Sequence, residues 1–152
     1  MIDIHAHILP GLDDGAEDMQ DTLEMARMAV ENGIMVMVAT PHCNIPGVYN
    51  NYYDENYKET FNRVRRALKD NNIPLILLPG LEVFATPDLP QLIKEGKIET
   101  INGSRYLLME FPFEEDEDYV EPILEAVMDM GICPVIAHAE RYELVQKNPG
   151  II

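Results

Sequence analysis

The chain has 152 residues, 47% of them apolar, enough to bury the core of one domain spanning 1–152. Its 27 acidic residues against 11 lysines and arginines give a formal net charge of −16, which excludes nucleic acid and anionic membrane as partners because a polyanion would be repelled. Two cysteines make no disulfide framework, no basic-then-apolar leader opens the chain, and no stretch reaches the roughly 20 apolar residues of a membrane span, so a cytoplasmic protein is expected.

The first apolar run, 1–4, reads as a strand and leads into His5-Ala6-His7. Residues i and i+2 of an extended segment point to the same side, so both imidazoles can reach one ion. The turn-rich Pro10-Gly11-Leu12-Asp13-Asp14-Gly15 follows. Met19, Leu23, Ala26 and Val30 then recur at helical spacing, with Gly33 as a stop. A second strand over 34–39 runs into Thr40-Pro41-His42, and Tyr57, Phe61, Val64 and Leu68 mark the next amphipathic helix. A third strand, 74–78, precedes Pro79-Gly80-Leu81-Glu82. Thr86-Pro87 reads as an N-cap followed by a first-turn proline, with Gly96 closing that short helix. A fourth strand, 106–109, ends at Glu110, and the acidic run 114–118 reads as a solvated loop entering a helix N-terminus, where negative charge is favourable. Val120, Ile123, Leu124, Val127 and Met128 form that helix's apolar stripe, closed by Gly131, and a fifth strand over 134–137 leads to His138.

Strands that are apolar throughout suit a sheet covered on both faces, and their alternation with helices implies right-handed βαβ units and a parallel α/β sheet. Five such units are too few to close an eight-stranded barrel. The sheet is therefore open, or it is the front part of a longer barrel.

All four histidines, together with Glu82 and Glu110, fall at the ends of these runs. The carboxyl ends of parallel strands converge on one face, where imidazoles and carboxylates make the usual ligand set for zinc- or manganese-type ions. Glu82 lies among Leu81, Val83 and Phe84, and Glu110 between Met109 and Phe111. An acid in such apolar surroundings needs a cation, although a structural carboxylate satisfied by hydrogen bonds is the alternative. Paired metal ions bridged by a carboxylate are a device for phosphoester hydrolysis, often completed by an arginine fork. Arg141, three residues beyond His138, is the candidate; its alternative is a surface arginine paired to Glu140 or Glu143. Tyr49, Tyr52 and Tyr53 occupy the loop after His42, where they either stack on a substrate ring or simply pack the loop. Cysteine phosphatase chemistry is excluded, because Tyr49 and Ala139 stand where an arginine is needed after Cys43 and Cys133. A serine triad fails too, since Ser104 is the only serine.

The stretch from Met1 through His5-Ala6-His7 to Asp13-Asp14-Gly15-Ala16 closely resembles the opening of the bacterial manganese-dependent tyrosine-protein phosphatases of the PHP (polymerase and histidinol phosphatase) family, encoded in capsule and exopolysaccharide clusters. Thr40-Pro41-His42, Pro79-Gly80-Leu81-Glu82, Leu108-Met109-Glu110-Phe111 and Ala137-His138-Ala139-Glu140-Arg141 are similar to that family's later motifs, in order. The resemblance implies a distorted seven-stranded (β/α) barrel, incomplete here, and up to three manganese ions, with iron or zinc as alternatives. His5, His7 and Glu82 would bind the first ion; Glu82 would bridge to a second that also takes Glu110 and His138; Asp14 and His42 would hold the third. Arg141 would contact phosphate, with His42 and Asp14 lining the pocket. The implied substrate is phosphotyrosine in the tail of a bacterial tyrosine kinase governing polysaccharide export. The resemblance covers the N-terminal three-fifths of such proteins. Their late Asp-x-His motif has no counterpart in these 152 residues, leaving the first and third sites one ligand short. Three further readings stay open: a PHP phosphoesterase for a small substrate such as histidinol phosphate, an inactive remnant that binds metal or a partner, and self-association through an open barrel edge.

Overall fold

Seven short strands and five α-helices alternate along residues 1–150, the part of the chain that the computed structural model describes. The strands are β1 (Ile2–Ala6), β2 (Val36–Ala39), β3 (His42–Cys43), β4 (Ile76–Pro79), β5 (Glu82–Phe84), β6 (Tyr106–Glu110) and β7 (Cys133–Ile136). The helices are α1 (Met19–Glu31), α2 (Glu55–Asp70), α3 (Leu89–Lys94), α4 (Glu117–Met128) and α5 (Glu143–Lys147). Every pairing between named strands is parallel, as the alternating pattern requires.

The strands form two sheets rather than one, in the orders β1-β2-β4 and β3-β5-β6-β7. The expected second and third strands appear as β2 and β4, and after breaks at Thr40-Pro41 and Gly80-Leu81 the chain forms two further short strands, β3 and β5, that were not expected. Pro41 has no N–H to donate to a ladder. Its carbonyl accepts from the Glu82 N–H at 3.1 Å, and the Thr40 hydroxyl accepts from the Ala6 N–H at 2.9 Å. Gly80 is required by close approach, since a Cβ there would stand 2.7 Å from Val38 Cγ1. The buried Tyr57 hydroxyl reaches out of α2, accepts from the Gly80 N–H at 3.1 Å and donates to the Gly80 carbonyl at 2.9 Å. One side chain thus closes the hydrogen bonds of both groups at the break.

α1 starts at Asp18, whose carboxylate accepts from the backbone N–H of Gln20 and Asp21. On α2, Tyr57, Phe61, Val64 and Leu68 are buried in one cluster with Met37, Leu77, Leu107 and Met109. Each such side chain contributes roughly 1.5–3 kcal/mol by leaving water. Gly33, Gly96 and Gly131 each stand just past a helix end, as expected. The third helix begins later than Thr86-Pro87 suggested: Asp88 is its cap residue, and Pro90 is the proline of the first turn. The Thr86 hydroxyl is engaged elsewhere, accepting from Asn44 Nδ2 at 2.8 Å. The acidic run does lead into α4, with Glu117 and Asp118 in its first turn. Among the described residues no helix is long and apolar enough to cross a membrane.

Candidate metal centre

The breaks place chemistry at the carboxyl ends of the strands. His5 lies within β1 and His7 just beyond it; His42 opens β3, Glu82 opens β5, Glu110 ends β6, and His138 follows β7 by two residues. Pairing of His42 with Glu82 in register brings the second and third of these segments side by side. A cavity of about 510 Å³ opens over the group and is lined by all seven expected ligand residues, His5, His7, Asp14, His42, Glu82, Glu110 and His138, and by Arg141.

Glu82 is the hub and is wholly buried. Its Oε2 lies 3.0 Å from His5 Nε2, 3.1 Å from His7 Nε2 and 3.2 Å from His42 Nδ1, yet it accepts no hydrogen bond. Its Oε1 lies 3.0 Å from His138 Nε2. A wholly buried carboxylate oxygen with three imidazole nitrogens within 3.2 Å and no well-directed hydrogen bond has the donor set that suits a divalent cation. His5 Nε2 and His7 Nε2 are 3.2 Å apart, closing a triangle with Glu82 Oε2. An ion bonded at about 2.0–2.2 Å to three ligands at right angles spans edges of about 3 Å, so the triangle fits one face of an octahedral divalent ion.

Two more groups adjoin it. His42, Glu82 and Glu110 bring donor atoms within 4.8 Å of one another, with His42 Nδ1 at 2.7 Å from Glu110 Oε1. His7, Asp14 and His42 form the third, with His42 Nε2 at 3.6 Å from Asp14 Oδ1. His138 Nε2 approaches Glu110 Oε2 to 3.6 Å. In these three groups His42 stands beside the two glutamates as well as Asp14, and His7 belongs to two of them. Backbone shape differs among the ligands too. His138 adopts φ 34° and ψ 48°, a left-handed conformation uncommon for a residue with a Cβ.

Charge is arranged to match. Burial alone would raise the Glu82 carboxyl, but the close imidazoles of His5 and His7 and the charge of His42 hold it well below the usual carboxylate range. Burial opposes charge on His7, yet Asp13 and Glu82 outweigh it and push the imidazole up to about 10. His42 is likewise raised against its burial, by Glu110 and Glu82. Cys43, by contrast, is buried and its thiol is pushed up to about 12 by desolvation and the charge of Asp54, which leaves it inert.

Asp13 is the residue that sequence reasoning missed. Its Oδ2 lies 2.7 Å from His7 Nδ1 and accepts from the His42 N–H at 2.8 Å; its Oδ1 accepts from the Gly15 N–H at 3.0 Å. It therefore orients one imidazole and the backbone of a second. Burial would raise its carboxyl, but His7 and the two amides lower it. Asp14, next along the chain, is instead 69% exposed at its side chain and faces the cavity. Gly15 makes the turn possible, since a Cβ there would lie 2.1 Å from the His7 carbonyl oxygen.

Arg141 follows His138 in a single 3₁₀ turn. Among the described residues it makes no ion pair with Glu140 or Glu143; its guanidinium lies 4.3 Å over the ring of Phe113 and borders the cavity. Of the loop tyrosines, Tyr52 donates to Asn44 Oδ1, Tyr53 packs on Tyr57, and Tyr49 stacks on the His42 ring. None of the three is among the residues lining the cavity, and Tyr49 reaches it only through the His42 ring.

A family model described as "Capsular polysaccharide synthesis, CpsB/CapC" matches residues 1–152. The chain is 40% identical over 152 residues to the tyrosine-protein phosphatase YwqE of Bacillus subtilis (strain 168), covering 100% of this chain and 59% of that protein. It is 32% identical over 148 residues to the tyrosine-protein phosphatase CpsB of Streptococcus pneumoniae, covering 97% and 60%. A crystal structure reported with YwqE and CpsB as "unique metal-dependent tyrosine phosphatases" superposes with a TM-score of 0.91 at 40% identity, covering 99% of this chain and 60% of the other. The chain thus spans about three-fifths of the length of the curated relatives it matches.

Proposed function

Because the chain belongs to the CpsB/CapC family of capsular polysaccharide synthesis, we propose that it is a metal-dependent phosphomonoester hydrolase acting on protein phosphotyrosine. The observation that carries this reading is the buried Glu82 Oε2 with three imidazole nitrogens at 3.0–3.2 Å. In the reading, His5, His7 and Glu82 hold one ion, Glu82, Glu110 and His138 a second, and Asp14 and His42 a third. Manganese is the ion we assign, ahead of iron and zinc. When bound, such ions supply positive charge for the phosphoryl oxygens and make water acidic enough to serve as nucleophile near neutral pH.

The remaining work falls to the protein. Arg141 offers a bidentate fork to the phosphoryl group, and Asp13 holds His7 in one tautomer and orientation. In a chain of net charge −16, an anionic substrate is drawn only by local positive charge, which the ions and Arg141 provide. The two relatives named above as tyrosine-protein phosphatases support the substrate class. The substrate we assign is the phosphotyrosine tail of a bacterial tyrosine kinase that controls polysaccharide export, in the cytoplasm. The scaffold is one domain of the PHP type, a (β/α) barrel in part. The reading includes self-association through an open sheet edge, since β1, β3, β4 and β7 each pair on one side only among the described residues.

The test is phosphate release from a phosphotyrosyl peptide in manganese, iron or zinc, beside the His5→Ala/His138→Ala double variant and histidinol phosphate. Release dependent on metal, abolished in the double variant and faster from the peptide, is the expected result. Turnover equal to that of the double variant sinks the reading, and faster turnover of histidinol phosphate moves it to a small substrate. Sedimentation of a clean monomer at micromolar concentration would remove the self-association.

A further inference from the structure

Phe113 is the one apolar side chain among those lining the metal cavity, and it is 38% exposed. It stands three residues after Glu110, as Arg141 stands three after His138. The two loops are pinned together, because the Glu143 N–H donates to the Phe113 carbonyl at 3.0 Å. Within that frame the ring meets His138 edge-on, at 5.6 Å and 62° between planes, and lies 5.6 Å from the buried Tyr142. The Arg141 guanidinium covers it at 4.3 Å. A rim of carboxylates, imidazoles and one guanidinium thus carries one phenyl ring, held by three neighbours and still partly exposed.

We propose that Phe113 is the specificity-determining residue that makes this site prefer aryl over alkyl phosphoesters. The inference rests on reading the cluster as a phosphoester site and adds to it the recognition of the leaving group. A phosphoryl group drawn to the cluster and Arg141 brings the ring to which it is esterified against the exposed surface of Phe113. An offset or edge-on aromatic pair there favours a phenyl ring over an alkyl chain by about two- to tenfold. The Arg141 guanidinium, packed 4.3 Å over the ring, and the edge-on His138 fix where that ring stands at the cavity rim. The chemistry is shared by free phosphotyrosine, phosphotyrosyl peptides and small aryl phosphates.

The test is binding, not turnover. Dissociation constants for phenylphosphonate and methylphosphonate, which cannot be hydrolysed as esters, are measured by calorimetry on the full chain in saturating manganese chloride. The parent chain is expected to bind phenylphosphonate several-fold more tightly. Phe113→Ala should erase most of that preference while changing the methylphosphonate constant less than threefold, and Phe113→Tyr should keep it. Thermal unfolding confirms that each variant is folded, and Phe113→Leu serves for the same comparison should the alanine variant unfold. A phenyl-to-methyl ratio unchanged in Phe113→Ala overturns the assignment, as does equal weakening of both ligands. A chain that binds neither phosphonate removes the phosphoester reading beneath it, an outcome distinct from an unchanged ratio.

Discussion

Tyr57→Phe removes one oxygen atom and keeps the ring. The ring sits in the core, stacked on Phe61 at 6.0 Å and tilted against Tyr53 at 5.3 Å, and none of that packing involves the hydroxyl. What is lost is the partner of both the Gly80 N–H and the Gly80 carbonyl, in a residue that is itself buried. A buried backbone group left without a partner costs about 1–3 kcal/mol. With two groups affected and some relaxation, the expected loss is about 2–4 kcal/mol. For a chain of this length that is a fall of roughly 4–16 °C in Tm. Urea and thermal unfolding followed by circular dichroism measure it, with an unchanged urea slope showing that the loss lies in the folded state. Tyr106→Phe, at an exposed tyrosine, is the control and should stay within about 0.5 kcal/mol. A Tyr57→Phe variant as stable as its parent would mean that the strand break closes its hydrogen bonds some other way.

Asp13→Asn should lower divalent metal affinity about 10–100-fold while leaving the fold intact, because the amide no longer holds His7 and the His42 backbone as the carboxylate does; competition against a chelator measures it, and unchanged affinity would refute Asp13's orienting role. Gly15→Ala forces a Cβ to 2.1 Å from the His7 carbonyl and should cost at least about 2 kcal/mol, visible as a lower melting temperature in chelator; a melt matching the parent's would contradict the close approach. In thiol labelling at pH 8, the half-buried Cys133 should react before the buried Cys43. Because reaction at the wholly buried Cys43 needs an opening of the fold, its labelling in a Cys133→Ser variant should run at least about tenfold slower at pH 8 than labelling of the same variant in denaturant, and equal rates would show the thiol to be accessible.

The helices that were plain in the sequence are those whose apolar residues recur at steps of three and four, because burial of one face decides such segments locally. The gathering of His5, His42, Glu82, Glu110 and His138 was legible for a related reason: parallel strands end on one face, so residues at strand ends share a neighbourhood. The strand breaks were not legible. Gly80 leaves the ladder because a hydroxyl from α2 takes over its hydrogen bonds, a contact 23 residues distant in the chain. The start of α3 was misplaced because Asn44 claims the Thr86 hydroxyl that looked like a cap. Asp13 and Asp14 are adjacent and chemically identical, and only the turn at Gly15 turns one toward His7 and the other toward the cavity. Phe113 was not singled out in the sequence, because its place at the cavity depends on a backbone bond from Glu143, thirty residues on.

His138 carries an imidazole on a left-handed backbone that glycine or asparagine would occupy with less strain, a difference of about 1 kcal/mol or more. The contact of its ring with Glu82 at 3.0 Å and its packing on Phe113 offset that cost in the folded chain. His138→Gly should melt higher than His138→Ala even though both discard the ring. At residue 138 the backbone and the side chain thus make opposing demands, and a melt of the two variants separates them.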